Sequence, residues 1–396
     1  MIRLVLITIF ILTAISFSAR AGHEVGNGGD VVVCRAPNRN VTSIELLDYY
    51  EARTLRKIYY SLGPKELSVE EKLELGIKRL ESLSFMTAAK FRGKAKDFEK
   101  NAVFLSGIVL VDVPDSAHVA VPKGCGIEQI VVQKNPQFPE DKSYIVNKDL
   151  WDLLDTDNRA GLILHEVIYW DAKDSEHRNS IATRYFNSYL TADKFKNFSV
   201  RSYIDWLRVA RFTYTYHRGM KIIVGYWQNE DQYELSEVEY HTPNLIKKAR
   251  LPEAGGFPIK GLIVSYDYAQ SVEFHDSGTV KTLYGYVSSG NHFSVSVLGG
   301  GKGLKVSTMS FDYDGNLEYA RMYEVQAFEV GGIEIKLRGP PLGHWKDDGA
   351  AVTFHPGFKL KSGFLHAPAK LPHADGTIKE VQPGQIRFDP NGLVVP

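Results

Sequence analysis

The sequence of 396 residues lacks an excess of charge of either sign, because 47 basic side chains balance 47 acidic ones. A neutral chain without basic blocks has no electrostatic footprint for nucleic acid or for an anionic membrane surface. Beyond its N-terminus the chain also lacks an apolar run near the roughly 20 residues that a membrane-spanning helix needs. We therefore expect no nucleic-acid partner and no transmembrane segment in the mature protein.

The N-terminus carries the pattern of an export signal. Arg3 is followed by a run from Leu4 to Ile15 that is apolar except for Thr8 and Thr13, and then by Ala19-Arg20-Ala21. A short positive segment, about a dozen apolar residues and an A-x-A sequence together predict a secretory signal peptide. We assign residues 1–21 to that signal peptide and expect the mature chain to be exported, to the periplasm or the extracellular space.

Cysteine is scarce: Cys34 and Cys125 are the only two in the chain. Since neither directly follows the apolar run, the sequence argues against a lipid-anchored protein. In an oxidising compartment two cysteines favour a disulfide, here one that closes a large loop. The alternative is a reactive thiol, with Cys125 as nucleophile and His165 as its base.

Apolar periodicity divides the mature chain into two regions. In the first, short strands mix with helices, among them one that opens with a capping box at Ser68 and Glu71. Past about residue 215, β-branched and aromatic residues alternate with polar ones between glycines and prolines. We predict an α+β fold, with a mixed helix/strand domain at 22–215 and an antiparallel β-repeat domain at 216–396. We also expect a strand at Ile108–Val113 and a linker at Leu251–Pro258.

The second region contains a degenerate repeat centred on Phe274, Phe311, Phe354 and Phe388, which are spaced by 37, 43 and 34 residues. Each phenylalanine is followed by His or Asp and then by Gly. We predict strand–turn–strand units in which His or Asp bonds the local backbone and Gly takes a positive φ. Stacked units would bury each phenylalanine against the next, in an extended antiparallel sheet.

These units, from Val272 to Val394, resemble the strand–turn–strand repeats of the membrane occupation and recognition nexus family. The resemblance is carried by a loose motif. It implies a scaffold or interaction role for the region and names no partner.

A candidate reaction centre lies on the predicted helix Asn158–Lys173, where His165 and Glu166 interrupt an apolar stretch. Burying an ionisable pair is costly unless the groups are paired or neutralised. In zinc peptidases, His-Glu-x-x-His places two metal ligands one turn apart and uses the Glu as general base. Here Tyr169 occupies the second histidine position, and the next histidine is His177.

A zinc-dependent, peptidase-like hydrolase would therefore bind its metal through His165 and His177, with a carboxylate such as Asp174, and use Glu166 as base. The alternative is a structural polar pair without a cofactor. In that case Glu166 would pair with Arg178 or Arg184, and His165 would bond Tyr169 or a backbone carbonyl. Buried pairs of this kind fix the arrangement of packed helices without chemistry, and we favour this interpretation.

Three segments together resemble an uncharacterised group of exported proteobacterial proteins: Gly26–Asp30 ahead of Cys34, Leu46–Glu51, and Leu164-His165-Glu166 with Tyr169. The resemblance spans residues 22 to about 190 and implies a bacterial, exported origin without an activity. The leading hypothesis is an exported binding or envelope-associated protein whose β-repeat surface contacts a protein or an envelope component. The alternative is the zinc hydrolase.

Overall fold

The computed structural model describes residues 29–111, 115–229, 231–267, 269–285, 293–297, 303–322, 324–338 and 351–396. The expected signal peptide at residues 1–21 lies outside the described residues, as do residues 26–28 of the glycine-rich segment. Within the described ranges, no helix is both long and apolar enough to cross a membrane.

The N-terminal region packs helices against two small sheets. Its helices are α1 (Leu47–Arg56), α2 (Val69–Glu81), α3 (Phe85–Lys96), α4 (Lys148–Trp151), α5 (Thr156–Asp174), α6 (Ile181–Leu190) and α7 (Val200–Val209). Its strands are β1 (Asp30–Arg35), β2 (Val41–Leu46), β3 (Ala102–Leu105), β4 (Cys125–Gln129), β5 (Val131–Gln133) and β6 (Tyr144–Asn147). β1 lies between β2 and β4, and β6 lies between β3 and β5.

Side-chain caps mark where α2 and α5 begin. The predicted capping box is present: the Ser68 hydroxyl accepts from the Glu71 N–H, and the Glu71 carboxylate accepts from the Ser68 N–H. At the start of α5, Asp155 accepts from the N–H of Asn158. These bonds satisfy N–H groups that have no partner inside the helix.

Cys34 and Cys125 face each other across β1 and β4 and form the predicted disulfide. The bond closes a loop of 91 residues. Because both cysteines are oxidised, neither is available as the nucleophile considered above.

Within the residues that the structure describes, the C-terminal region is built on an antiparallel sheet of 17 strands. Its first strands are β7 (Tyr214–His217), β8 (Met220–Ile223), β11 (Val238–Thr242), β12 (Leu245–Arg250), β13 (Ala254–Ile259), β14 (Leu262–Asp267), β15 (Ala269–Phe274) and β16 (Val280–Gly285). It continues with β17 (Phe293–Val297), β18 (Leu304–Phe311), β19 (Leu317–Met322), β20 (Gln326–Val330), β21 (Ile333–Leu337), β22 (Ala351–His355), β23 (Lys359–Leu365), β26 (Gly384–Phe388) and β27 (Val394–Val395). Two separate pairs complete it, β9 (Gly225–Trp227) with β10 (Tyr233–Leu235), and β24 (Ala369–Pro372) with β25 (Ile378–Val381).

Neighbouring hairpins of this sheet are connected by hydrogen-bonded pairing between a strand of one hairpin and a strand of the next. β12 pairs with β15, β16 with β18, β19 with β22, and β23 with β26. The register places one buried row of side chains across neighbouring strands: Ala249, Val272, Leu283, Met309, Ala320 and Val352. The α+β fold with a C-terminal antiparallel sheet is therefore confirmed.

The repeat units have the predicted geometry. All four phenylalanines are buried, and the turn glycines Gly278, Gly315, Gly357 and Gly392 have φ between 80° and 83°. In this left-handed region glycine avoids the steric cost that other residues carry. The turn from His373 to Thr377 has the same backbone bonds as those that begin at His275, Asp312 and Asp389, although the phenylalanine pattern does not include it.

The histidines at the turns bond a neighbouring hairpin and not, as predicted, the local backbone. Asp312 and Asp389 bond local backbone N–H groups, as expected. The Nε2–H groups of His241, His275 and His355 instead donate to the carbonyl oxygens of Phe274, Phe311 and Phe388, at 2.9–3.0 Å. Each of these histidines therefore ties its own turn to the phenylalanine of a neighbouring hairpin.

Two predictions of local structure were wrong. Residues 108–111 form no strand, because Ala102–Leu105 takes the position beside β6 and leaves Val109 92% exposed. The segment Leu251–Pro258 is no linker, because Ala254–Ile259 pairs along its whole length with β14. Its glycines serve close packing: a Cβ on Gly256 would lie 2.8 Å from the Val264 carbonyl oxygen.

Helices give way to strands between the end of α7 at Val209 and the start of β7 at Tyr214. The two regions share one buried hydrophobic cluster, which extends from Val31 to Val394. Polar contacts also join them, because the Ser84 hydroxyl beside α3 donates to the Tyr216 carbonyl in β7.

Candidate functional site

His165 lies in the middle of α5 and faces α1. Its Nδ1 is 2.9 and 3.0 Å from the two carboxylate oxygens of Asp48. Asn187 of α6 donates to the same carboxylate at 2.7 Å and to the Gly161 carbonyl at 2.8 Å. Since a carboxylate only accepts, Nδ1 carries a proton. The side chains of His165, Asp48 and Asn187 are fully buried, and Nε2 of His165 has no hydrogen-bond partner among the described residues.

The Glu166 carboxylate bonds the backbone directly before β1. The Gly29 N–H donates to its Oε1 at 2.7 Å, and Gln133 Nε2 donates to its backbone carbonyl at 3.0 Å. A Cβ on Gly29 would lie 2.0 Å from Leu162 Cδ1, so a larger residue here would require the Leu162 side chain to move. The Glu166 side chain is fully buried.

Both ionisable groups have shifted pKa values with identifiable causes. Burial raises the pKa of Glu166 to about 7, an effect that His165 and the Gly29 N–H oppose only in part. Burial lowers the pKa of His165, but the facing Asp48 carboxylate more than offsets this and leaves that pKa above its ordinary value. Enclosure in the core and one fixed carboxylate explain both shifts without a substrate.

Arg184 does not pair with Glu166, which corrects one prediction. Its Nε donates to Glu51 at 2.7 Å, and its Nη1 donates to Asp115 at 2.7 Å. Arg56 donates to the other Glu51 oxygen at 2.8 Å. Burial raises the pKa of Glu51, yet the two guanidinium groups more than offset it and the pKa is lowered. Glu51 lies one turn beyond Asp48 on α1, so one helix face supplies both buried carboxylates.

The three sequence segments that resemble the uncharacterised group meet in this cluster. Gly29 contacts Glu166, Asp48 contacts His165, and Tyr49 packs so closely on α5 that a Cβ on Gly161 would lie 2.3 Å from its hydroxyl oxygen. Asp48, Glu51 and Asn187 were not among the predicted site residues. The two carboxylates inside the otherwise apolar and aromatic start of α1 were the signal that could have revealed them.

The structure does not bring His165 and His177 together. The His177 N–H donates to the Ala172 carbonyl, and Ala172 lies seven residues after His165, or about 10 Å of helix rise. Asp174 contacts Lys90 instead, with 3.3 Å between Oδ2 and Nζ. Tyr169 is a ring neighbour of His165, with 6.3 Å between centroids. In the part of the chain that the structure describes, no group of three or more His, Cys, Asp or Glu side chains could hold a metal ion.

His177 and Arg178 instead line an open cleft of about 990 Å³. The cleft lies between the end of α1, the turn after α5, α6, the end of α7, and β9. Its charged and aromatic lining residues are Arg56, Glu176, Arg178, Tyr185, Tyr189, Arg211 and Trp227. We call this the arginine cleft.

The walls of the arginine cleft are ordered by ring and backbone contacts. The Arg56 guanidinium lies 4.8 Å from the centre of the Tyr185 ring, and that of Arg211 lies 5.7 Å from the Trp227 ring. The Trp227 indole N–H donates to the Ser175 carbonyl at 2.9 Å. His177 bonds the Arg211 carbonyl through Nε2 at 3.1 Å, and burial lowers the pKa of His177 to about 4, so this side chain is neutral at pH 7.

Two residues that line the cleft have a left-handed backbone. Glu176 and Arg211 have φ values of 65° and 61°, and each directly follows the C-cap of a helix, α5 or α7. A left-handed residue at this position commonly ends a helix.

Comparisons of this chain with known protein families, with curated proteins and with solved structures find no match.

Proposed function

We propose that this protein is an exported, non-catalytic binding protein whose ligand occupies the arginine cleft. The observation that carries the proposal is the contrast between two sites. His165 and Glu166 are fully enclosed, whereas the cleft is open to solvent and lined by arginine and aromatic side chains. Export is supported by the signal-peptide pattern at residues 1–21 and by the disulfide.

A binding role fits the buried pair better than catalysis does. A general acid or base must come within hydrogen-bond reach of its substrate, and His165 and Glu166 have no exposed surface. Their contacts with Asp48 and Gly29 tie α5 to α1 and β1. The zinc hydrolase is less well supported, because His165 and His177 would have to approach across about two turns of α5.

The size and lining of the arginine cleft suit a small molecule. Ligand pockets typically have volumes of about 300–1,000 Å³ and combine apolar walls with a few polar groups. Here Ile181, Ala182 and Val209 supply apolar surface beside the arginines and the rings. Val209 is 71% exposed, which leaves an apolar side chain available for contact with a ligand.

The β-repeat sheet is the proposed surface for a larger partner, such as a protein or an envelope component. One row of mostly polar side chains crosses the hairpins in register, on the face opposite the buried row: Lys248, Glu273, Thr282, Ser310, Tyr319 and Thr353. Except for buried Thr282, these residues are half-exposed. A rigid, continuous sheet with such a face can bind an extended partner.

A cleft-filling substitution tests the proposed small-molecule site. Val209→Trp places a large ring in the cleft without removing a charge or a hydrogen bond, and Ile378→Trp, at a site that is also 71% exposed, is the matched control. In a fragment screen by saturation-transfer NMR, we expect binders of the wild type and of Ile378→Trp to be lost in Val209→Trp. Fragments that bind all three proteins alike, or no bound fragment at all, would contradict the cleft as the binding site.

A further inference from the structure

We infer that the ligand of the arginine cleft is an acidic sugar, whose carboxylate binds Arg211 and whose ring packs on the aromatic wall. This inference rests on the proposed binding function. It adds the chemical class of the ligand and the residue that selects it.

The first argument is charge. Among the described residues, Arg56, Arg178 and Arg211 line the cleft with a single acid, Glu176, in a chain whose formal net charge is zero. A concave surface lined by one sign of charge concentrates ions of the opposite sign. Guanidinium groups also bind carboxylates in a bidentate manner that lysine cannot reproduce. The cleft therefore favours an anion.

The second argument is the availability of Arg211. Arg56 already donates to Glu51. The Arg211 side chain is exposed, lies over the Trp227 ring and forms no salt bridge within the described ranges. Its backbone is held by the bond from His177 to its carbonyl. A fixed backbone, and a guanidinium that has no carboxylate partner in the part of the chain that the structure describes, make Arg211 the anchor for an incoming carboxylate.

The third argument is the combination of rings and amides. Tyr185, Tyr189 and Trp227 line the cleft and are partly exposed, beside the Arg56 and Arg211 guanidinium groups that pack on two of these rings. The electron-rich face of an aromatic ring attracts positively polarised C–H groups such as those on one side of a pyranose. Asn179, Gln228 and Asn229 also line the cleft, and each amide can both donate to and accept from a hydroxyl. A sugar acid uses all three kinds of group, whereas an inorganic anion uses the arginines and the amide N–H groups but not the rings.

Calorimetric titration with the trimer of galacturonic acid tests this inference, and the fully methyl-esterified trimer is the uncharged control ligand. We expect the acid to bind the wild type at least about tenfold more tightly than the ester, because hydrogen bonds to charged groups contribute about 1.5–3 kcal/mol. Arg211→Ala should weaken binding of the acid about ten- to hundredfold and leave binding of the ester unchanged. Arg201→Ala is the control variant, since that side chain is 61% exposed in the first turn of α7, whose C-terminal end precedes Arg211, and it does not line the cleft.

The remaining outcomes distinguish failure of the acidic-sugar inference from failure of the proposed binding function. Equal affinity for acid and ester, or an unchanged affinity in Arg211→Ala, overturns the acidic-sugar inference and leaves the binding function in place. Failure of both trimers to bind, while fragments still bind the cleft, overturns it as well. Tighter binding of glucose 6-phosphate than of the uronate trimer would show that the arginines select a phosphate. If neither trimers nor fragments bind, the proposed function itself fails.

Discussion

The carboxylate of Asp48 joins Nδ1 of His165 to the amide of Asn187, so one buried side chain of α1 binds both α5 and α6. This contact explains why an otherwise apolar helix carries a histidine. A buried polar group lowers the stability of a fold unless it is bonded. Each side chain of the trio bonds another, and only Nε2 of His165 and Oδ1 of Asn187 have no partner among the described residues. The pair that resembles part of a zinc motif therefore has a structural explanation in the packing of three helices.

Breaking the Asp48–His165 pair should strongly destabilise the protein. Asp48→Ala leaves a buried imidazole without its counter-charge, and we expect a loss of about 3–5 kcal/mol in the free energy of unfolding. His165→Ala should cost a similar amount. In a urea-unfolding double-mutant cycle the two losses should be strongly non-additive, with a coupling of about 1–3 kcal/mol. Additive losses, or losses below about 1 kcal/mol, would show that the contact contributes little.

Glu166 should make the protein less stable as pH rises. Its pKa is about 7 in the folded chain and 4.5 ordinarily. Between these values the unfolded chain releases the proton while the folded chain keeps it, so the free energy of unfolding falls with rising pH, by roughly 3 kcal/mol in total. Glu166→Gln keeps an acceptor for the Gly29 N–H and removes the titration.

We therefore expect Glu166→Gln to match the wild type near pH 4.5 and to exceed its stability above pH 7. Because the pKa of His165 is raised in the folded chain, the free energy of unfolding of both proteins should fall further as pH rises above 6.5. Urea unfolding at a series of pH values measures the difference between the two curves. If the wild type and Glu166→Gln gave parallel curves of unfolding free energy against pH over this range, a protonated Glu166 in the core would be contradicted.

The repeat turns offer a matched pair of glycines. Gly376 and Gly392 occupy the same position in identical turns, with φ of 80° and 82°. A Cβ at Gly376 meets open space, whereas at Gly392 it would lie 3.0 Å from Val330 Cγ1 and 3.2 Å from the Gly331 nitrogen. We expect Gly376→Ala to cost about 1–2 kcal/mol for the left-handed backbone alone.

Gly392→Ala should cost at least about 1 kcal/mol more, because backbone atoms and a buried valine resist the new methyl group. Thermal or urea unfolding of the two variants gives the comparison. Equal destabilisation would mean that the hairpins do not pack against each other as described at this turn.

Local signals in the sequence predicted much of the fold. The capping box at Ser68, the turn glycines and the buried phenylalanines all follow from contacts within a few residues, and each was confirmed. The disulfide was predicted from the expected compartment and the cysteine count, and it is present.

Contacts between distant segments could not be predicted in the same way. Asp48 and His165 are 117 residues apart, and Arg184 and Glu51 are 133 apart, so no spacing rule links them. The arginine cleft is assembled from residues between Arg56 and Asn229, which lie on separate helices, turns and a strand. Only the packing of α1, α6 and α7 shows that these side chains share one surface.

The most direct test of the account follows the indole N–H of Trp227 by two-dimensional NMR while the galacturonate trimer is titrated. This N–H lies in the cleft wall and donates to the Ser175 carbonyl, so its resonance reports on the site. We predict a saturable shift of the Trp227 signal in the wild type, with the indole signals of Trp151 and Trp170 unchanged. A trimer that binds the protein but leaves Trp227 unmoved, or that shifts only residues of the β-repeat sheet, would contradict the arginine cleft as the binding site.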